Sequence, residues 1–208
     1  GWPSAKRASF FFDDVRVPAK YLVGEENGAS HIFYRMMVPE RMTSAAGCVG
    51  AAREATELAA RYTTRRKAFG VQIKNFQAVS FMIAESLVKL DSMASLIWMT
   101  ARAIDAGVSH GRMRRMVSES KKYATEAVWD IVYNAMQAMG GIAYTNVYPI
   151  ERMLRDCRLL SIWTGTNEVM NLIIQHEFYK ELEEKVHGKR DVEQDAPEAY
   201  NEEEKIYE

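Results

Sequence analysis

Two long segments with helical spacing of apolar residues constrain the fold of this chain more than any other feature. Their apolar positions, three or four residues apart, are Val79, Ile83, Leu87, Leu90, Ala94, Ile97, Ala101 and Ile104 in the first segment, and Met113, Val117, Ser120, Ala124, Ala127, Ile131, Ala135 and Ala138 in the second. Such spacing places one stripe on one face of a helix. Helices of ~30 residues would be about 45 Å long and bury their stripes best against each other. The sequence therefore predicts an all-α fold, an antiparallel four-helix bundle.

Two further segments complete this predicted bundle. Residues 30–66 read as a helix in which Pro39 marks a kink or restart. The last helix begins after Thr166 and runs towards Leu182, while the second long helix stops at Gly140-Gly141. The segment "RKAFGVQIKNFQ" between the first two helices reads as a loop.

The start of the chain has a different character. "ASFFFDDVRVP", residues 8–18, is rich in aromatic and β-branched residues and predicts the end of a strand. One strand cannot satisfy its backbone hydrogen bonds alone, so we expect the chain to be the later part of a longer protein. We divide it into residues 1–24 (strand and linker), residues 25–185 (bundle) and residues 186–208, an acidic tail that we expect to be solvated.

Composition excludes several classes of protein. The net charge is −1, and the basic residues before the tail are too diluted by acids to predict nucleic-acid binding. The two cysteines form no disulfide framework and favour a reducing compartment. No apolar run has membrane length, so we expect a soluble protein of the cytoplasm or the mitochondrial matrix.

General site motifs are missing from the sequence. It contains no GxSxG, P-loop, GxGxxG or HExxH motif, and the four histidines have no cysteine at ligand spacing. We therefore predict no metal site. The twelve methionines fall in the helical stripes and read as core residues, or else as soft walls of an acyl pocket.

Four segments in order resemble the acyl-CoA dehydrogenases. These are "FDDVRVPAKYLVGEENGA", "RRKAFGVQIKNFQ", "MQAMGGIAYTNVYPIERMLRD" and "IWTGTNEVMNLIIQ". The resemblance covers roughly residues 10 to 180 and implies the family's C-terminal four-helix bundle, preceded by the last strand of its middle β-domain. It also implies FAD as cofactor and oxidation of an acyl-CoA thioester to the trans-2-enoyl-CoA.

The family's reaction needs a carboxylate base, and its usual position is changed here. In many members a glutamate precedes the glycine-threonine pair of the last motif, where this chain has Thr164 before Gly165. One branch, which includes isovaleryl-CoA and long-chain acyl-CoA dehydrogenases, instead carries Glu-Arg on the first bundle helix. Glu40-Arg41 matches that pair, and the resemblance implies Glu40 as the base. A solvated residue on the helix surface is the alternative for Glu40, and Glu168 is the rival carboxylate.

The resemblance also assigns the binding residues. Arg41 would approach the pantetheine end of the substrate, the Thr164 backbone N–H would donate to the thioester oxygen, and Gly165 would allow close substrate approach. The positions that match FAD contacts are Arg66, Phe69, Gln77, Gln137, Gly140, Gly141, Thr166 and Glu168. For Gly140-Gly141 alone, a helix C-cap is the alternative, and Phe69 could equally belong to a loop core.

The resemblance also has implications for the oligomeric state and the electron acceptor, and it leaves two alternative functions open. Some FAD contacts in the family come from a second subunit, so a homo-oligomer is implied, a dimer or a dimer of dimers. An electron-transfer flavoprotein is the implied electron acceptor. Two alternatives stay open: an acyl-CoA oxidase or flavin monooxygenase on the same fold, and a non-catalytic assembly subunit. We expect these residues alone to be inactive.

Overall fold

The computed structural model describes residues 8–185, and five α-helices account for most of them. They are α1 (Ala29–Arg65), α2 (Gln77–Asp105), α3 (His110–Met139), α4 (Ile150–Leu160) and α5 (Asn167–Lys185). A two-stranded antiparallel hairpin lies between α1 and α2, with β1 (Lys67–Ala68) paired to β2 (Val71–Gln72). The predicted acidic tail, residues 186–208, lies outside the described residues.

Helix α3 is the central element of the bundle. It packs against α1, α2, α4 and α5, and it carries the largest set of buried residues. The core combines small residues of α1, such as Ala45, Ala52 and Ala59, with branched residues of α3, such as Val128 and Ile131. Small side chains on α1 let the two long helices approach closely, which positions everything attached to their ends. The all-α prediction is confirmed.

The long helices begin and end close to where their sequence signals lie. Gly107 and Gly140 both have positive φ, +75° and +70°. Gly107 lies two residues after the end of α2, and Gly140 directly follows α3. Only glycine adopts this conformation at little cost, so it ends a helix cleanly. Pro39 lies inside α1, which runs on without a break. The predicted restart at Pro39 is therefore wrong, because the residue removes only one backbone donor from a helix of 37 residues.

Three details differ from the sequence-based expectation. Residues 8–18 form no strand, since nothing in the described part of the chain pairs with them and an unpaired strand is not stable. The predicted loop over residues 66–77 contains the β1–β2 hairpin and a short 3-10 helix, Ile73–Asn75. Helix α4 was not predicted as a separate element. With it, the described residues form four long helices and one short helix.

Candidate functional site

Arg41 connects the first helix to the turn before α5. Its Nε donates a hydrogen bond of 3.0 Å to the Thr164 carbonyl oxygen. Burial lowers the pKa of Arg41, nearby Arg114 lowers it further, and Glu40 opposes both effects. Glu40 is exposed on α1, one residue before Arg41. The structure therefore brings the predicted base helix and the Thr164-Gly165 turn into direct contact.

The turn itself has a conformation that restricts its sequence. Thr164 and Gly165 have φ values of +53° and +94°, two consecutive residues in the left-handed region. A Cβ at Gly165 would lie 2.9 Å from Met170 Cε and 3.1 Å from Arg41 Nη2. Glycine is thus favoured at position 165 by its φ, and a side chain there would also have to displace the ends of the Met170 and Arg41 side chains.

The backbone donors of this turn are free. Thr164 and Gly165 lie outside the helices, and neither backbone N–H donates within residues 8–185. The Thr164 hydroxyl oxygen is also buried without a hydrogen-bond partner among those residues. Unused donors at a partly buried turn can donate hydrogen bonds to a ligand oxygen, which is the arrangement that an oxyanion site requires.

A buried lysine supports the same turn from the opposite side. Lys121 on α3 is 0% exposed, and its Nζ donates to the Gly165 carbonyl and to Asn167 Oδ1, both at 2.9 Å. Burial lowers the pKa of Lys121 to about 8, and Arg41 adds to this lowering. The sequence analysis missed this residue, although Lys121 lies four residues after Val117 and three before Ala124, on the buried stripe of α3.

Four of the predicted cofactor residues line one cavity of about 510 Å³. Arg66, Gln137, Gly140 and Gly141 form its walls together with Tyr62 and Ile73. A Cβ built at Gly140 or Gly141 would meet no atom within 4 Å. The glycine backbone therefore faces open space that a side chain would fill, next to a guanidinium suited to a pyrophosphate. These features fit the adenosine diphosphate part of FAD.

Phe69 and Gln77 do not line this cavity. Phe69 lies at the tip of the hairpin with φ +51°, is 97% exposed, and contacts the Phe76 ring edge-to-face at 6.4 Å. Gln77 is exposed at the first turn of α2. Within the described part of the chain, the Phe69 ring is therefore a surface feature and no part of a loop core.

Thr166 and Glu168 lie in a different cavity, of about 380 Å³, between α3 and α5. Its walls include Trp129 and Arg158. The Thr166 hydroxyl accepts the Val169 backbone N–H at 3.4 Å. Hydrogen bonds from Thr166 and from the backbone of Glu168 lower the pKa of the exposed Glu168 carboxyl. The predicted cofactor residues thus form two groups on two surfaces.

An apolar cavity of about 350 Å³ lies between α1 and α4. It is lined by Thr43, Ser44, Gly47 and Ala51 on α1, by Met153, Asp156, Cys157 and Leu160 on α4, and by Trp163. These α1 residues follow Glu40 along the helix, while the neighbouring Ala45 is buried in the core. The small residues of α1 therefore serve both helix packing and this cavity.

A fourth cavity, of about 530 Å³, opens beside Arg41. Its walls combine Arg41, Arg114 and His110 with apolar residues such as Met37 and Val38. Arg114 is paired with the buried Glu177 at 2.6 Å. Among residues 8–185, no group of three histidines, cysteines or carboxylates is placed to hold a metal ion, and no helix is long and apolar enough to cross a membrane.

Comparison with known families gives one clear match. The family model described as "Acyl-CoA dehydrogenase, C-terminal domain" matches residues 27–178. Cyclohexane-1-carbonyl-CoA dehydrogenase of Geobacter metallireducens is 33% identical over 87% of this chain and 47% of its own length. The caffeyl-CoA reductase-Etf complex subunit CarC of Acetobacterium woodii is 33% identical over 80% of this chain and 43% of its own length. The chain spans less than half of the length of these relatives.

Solved structures agree with this match. The crystal structure of an acyl-CoA dehydrogenase from Geobacillus kaustophilus is similar with a TM-score of 0.76 and 32% identity, over 81% of this chain and 43% of that one. An FAD complex of PigA is similar with a TM-score of 0.74 and 25% identity, over 81% of this chain and 43% of the PigA chain. Both similarities cover the helical bundle described above.

Proposed function

The chain belongs to the acyl-CoA dehydrogenase family through its C-terminal domain, and on that premise we propose that it supplies the base and part of the flavin site of an FAD-dependent acyl-CoA dehydrogenase. The observation that carries this proposal is the hydrogen bond from Arg41 Nε to the Thr164 carbonyl. It joins the helix that bears Glu40 to the turn whose backbone donors are free. A base and an oxyanion donor are the two groups that α-proton abstraction from a thioester requires.

Glu40 is the proposed base. Its carboxylate would take the proton from the α-carbon of the acyl group. The Thr164 backbone N–H would donate to the thioester oxygen and stabilise the negative charge that develops there. FAD, when bound, supplies the acceptor for the hydride that leaves the β-carbon. Glu40 is exposed among residues 8–185, and in the assembled enzyme the bound substrate and cofactor would have to cover it.

The substrate would place its acyl group in the apolar cavity between α1 and α4. Thr43 and Ser44, which line that cavity, lie about one helical turn after Glu40. Trp163 also lines it. Apolar walls of this size suit a short, branched or cyclic acyl group. Arg41 would approach the pantetheine end. We place the base on α1 by analogy with the isovaleryl-CoA and long-chain acyl-CoA dehydrogenases. The support for this analogy is the Glu40-Arg41 pair alone, because the relatives named above carry the names of other enzymes.

The two groups of cofactor residues would serve two subunits. Thr166 and Glu168 would contact the flavin bound to the same chain, while Arg66, Phe69, Gln77, Gln137, Gly140 and Gly141 would contact that of a partner copy. The separate cavities of Thr166 and Arg66 support this division, although Phe69 and Gln77 line neither cavity. We therefore propose a homo-oligomer, a dimer or a dimer of dimers, with domain limits at residues 24 and 185.

The electron acceptor would be an electron-transfer flavoprotein, since a similar protein is named as part of an Etf complex. The cytoplasm or the mitochondrial matrix is the proposed compartment, and the free, buried thiols of Cys48 and Cys157 fit a reducing one.

The test uses the full-length protein loaded with FAD under anaerobic conditions. It is mixed with short, branched, cyclic and long acyl-CoAs while the flavin absorbance is followed. We expect bleaching with at least one of them, and slow reoxidation by oxygen. Binding of FAD without bleaching by any thioester would contradict the dehydrogenase proposal, and rapid reoxidation by oxygen would favour an oxidase.

A further inference from the structure

Lys121 occupies a position that packing alone does not explain. It is the largest fully buried side chain described, on the central helix of the bundle. Moving an ammonium group out of water costs several kcal/mol unless strong partners replace the water. Its nearest partners are neutral, the Gly165 carbonyl and the Asn167 amide. A methionine, one atom shorter, would fill most of the space without that cost, so the charge needs another reason.

The partners of Lys121 belong to the turn that holds the proposed oxyanion donor. Two consecutive carbonyls of this turn each accept a hydrogen bond from a cation, Thr164 from Arg41 on α1 and Gly165 from Lys121 on α3. In a trans peptide the carbonyl and the following N–H point in opposite directions. Binding both carbonyls from inside the bundle therefore fixes the peptide planes that follow Thr164 and Gly165. The Thr164 N–H lies on the adjoining peptide, and the left-handed φ of Thr164 sets its direction relative to those fixed planes.

Lys121 also fixes the start of the following helix. Asn167 is the first residue of α5, and its Oδ1 accepts hydrogen bonds from Lys121 at 2.9 Å and from Thr125 at 3.1 Å. The Asn167 backbone N–H donates to the Ser161 carbonyl, which closes the loop that contains the turn. One ammonium group thus joins the turn, the helix after it and α3.

We propose that Lys121 is a positioning residue that holds the Thr164-Gly165 turn so that its free backbone N–H meets the thioester oxygen. This inference rests on the proposed function for the identity of the ligand. Its geometric half, that Lys121 holds the turn, is independent of the reaction. Lys121 touches neither substrate nor cofactor in this assignment and acts through the turn.

The experiment compares wild type, Lys121→Met and Lys122→Met in the full-length protein. Lys122 is the control, because it lies on the same helix and pairs near the surface with Glu126 at 2.6 Å. Its link to the turn is indirect, through one hydrogen bond of 3.3 Å that Asn167 Nδ2 donates to Glu126. Three measurements are made. The first is the anaerobic rate of flavin reduction as a function of thioester concentration. The second is the absorption shift of bound 4-hydroxycinnamoyl-CoA, and the third is amide hydrogen exchange across residues 161–170. The absorption of this thioester shifts to the red when its carbonyl accepts hydrogen bonds.

For Lys121→Met we expect a folded protein with FAD bound, a limiting rate of reduction lowered about 100-fold, a smaller absorption shift and faster exchange across residues 161–170. Lys122→Met should resemble wild type in all three. Wild-type rate and absorption shift in Lys121→Met would overturn the proposal.

The two proposals fail in distinguishable ways. If no thioester reduces even the wild-type flavin, the dehydrogenase proposal fails, and hydrogen exchange still decides whether Lys121 holds the turn: unchanged exchange would overturn that as well. If Lys121→Met does not fold, Lys121→Gln takes its place, since its amide keeps a donor without the charge.

Discussion

At the scale of single residues, the cost of burying Lys121 depends on pH. Its pKa falls from the ordinary 10.5 to about 8, mainly through burial. Arg41 on α1 adds to the lowering, while Cys48 on α1, Glu126 on α3 and Glu168 on α5 oppose it. Between pH 8 and 10.5 the unfolded chain therefore holds this proton and the folded chain has released it.

This difference predicts a rise in stability at alkaline pH. Because the unfolded state binds more protons, the free energy of unfolding should increase by roughly 3 kcal/mol between pH 8 and 10.5. Lys121→Met should lack this increase. Urea unfolding of both proteins at several pH values measures it, and the difference between the two curves removes the other titrating groups. Parallel curves would show that Lys121 is not desolvated as described.

Some site residues can be recognised from the sequence because they belong to a motif, and others cannot because only the fold shows their position. Glu40, Arg66 and Gly165 belong to motifs, and a motif carries its residues with it. Lys121 stands in the pair Lys121-Lys122, which reads as ordinary surface charge, and only its phase on the stripe of α3 distinguishes it. The exposure of Phe69 depends on the hairpin turn, which four strand residues are too few to reveal.

At the scale of elements, a buried carboxylate is one of the groups that join α3 and α5, beside the Lys121–Asn167 and Arg115–Glu181 contacts. Glu177 is 3% exposed and pairs with Arg114, whose side chain is 42% exposed. Gly111 leaves the space, since a Cβ there would lie 2.7 Å from Glu177 Oε2. The two partners are thus unequal, because only the carboxylate is removed from water.

This inequality predicts different costs for the two halves of the pair. Arg114→Met leaves a buried, unpaired carboxylate and should lower the free energy of unfolding by about 3 kcal/mol. Glu177→Gln leaves an arginine that water can reach, and it should cost only about 1 kcal/mol. Urea unfolding measures both, with the exposed Arg112→Met as control. Equal losses, or a larger loss in Glu177→Gln, would contradict this account of the join.

The elements themselves were predictable where the pattern is long. Stripes over nearly thirty residues and the glycines that follow them located α2 and α3, because amphipathic spacing and termination are local properties. The strand predicted at residues 8–18 is absent because strand formation is not a local property. A strand needs a neighbouring strand for its backbone hydrogen bonds. Helix α4 has only 11 residues, but it follows the same local rule as α2 and α3 and could have been predicted. Its apolar positions with helical spacing are Ile150, Met153, Leu154, Cys157 and Leu160.

At the scale of the whole molecule, six of the eight proposed cofactor residues divide between two cavities of one chain. The Arg66 and Gly140 cavity lies at the hairpin end of α1 and the end of α3, while the Thr166 cavity adjoins the start of α5. Phe69 projects from the same hairpin, almost fully exposed. An aromatic ring in that position costs solubility unless a partner or ligand covers it.

The division predicts that Phe69 contributes to cofactor binding and not to folding. Phe69→Ala should lower the affinity for FAD about tenfold, because stacking on an adenine contributes ~1–3 kcal/mol, and should leave the unfolding temperature unchanged. Equilibrium dialysis and thermal unfolding measure the two effects, and Tyr179→Ala, exposed on α5, is the control. Unchanged affinity would place Phe69 outside the cofactor site.

The position of the base is the central claim, and one comparison tests it most directly. Wild type, Glu40→Gln and the control Glu54→Gln, exposed on the same helix, are mixed anaerobically with a thioester that bleaches the wild-type flavin. We expect Glu40→Gln to bind the thioester but to reduce the flavin about 100- to 10,000-fold more slowly, and Glu54→Gln to match wild type. Reduction at the wild-type rate in Glu40→Gln would contradict the account, and loss of reduction in Glu168→Gln instead would move the base to α5.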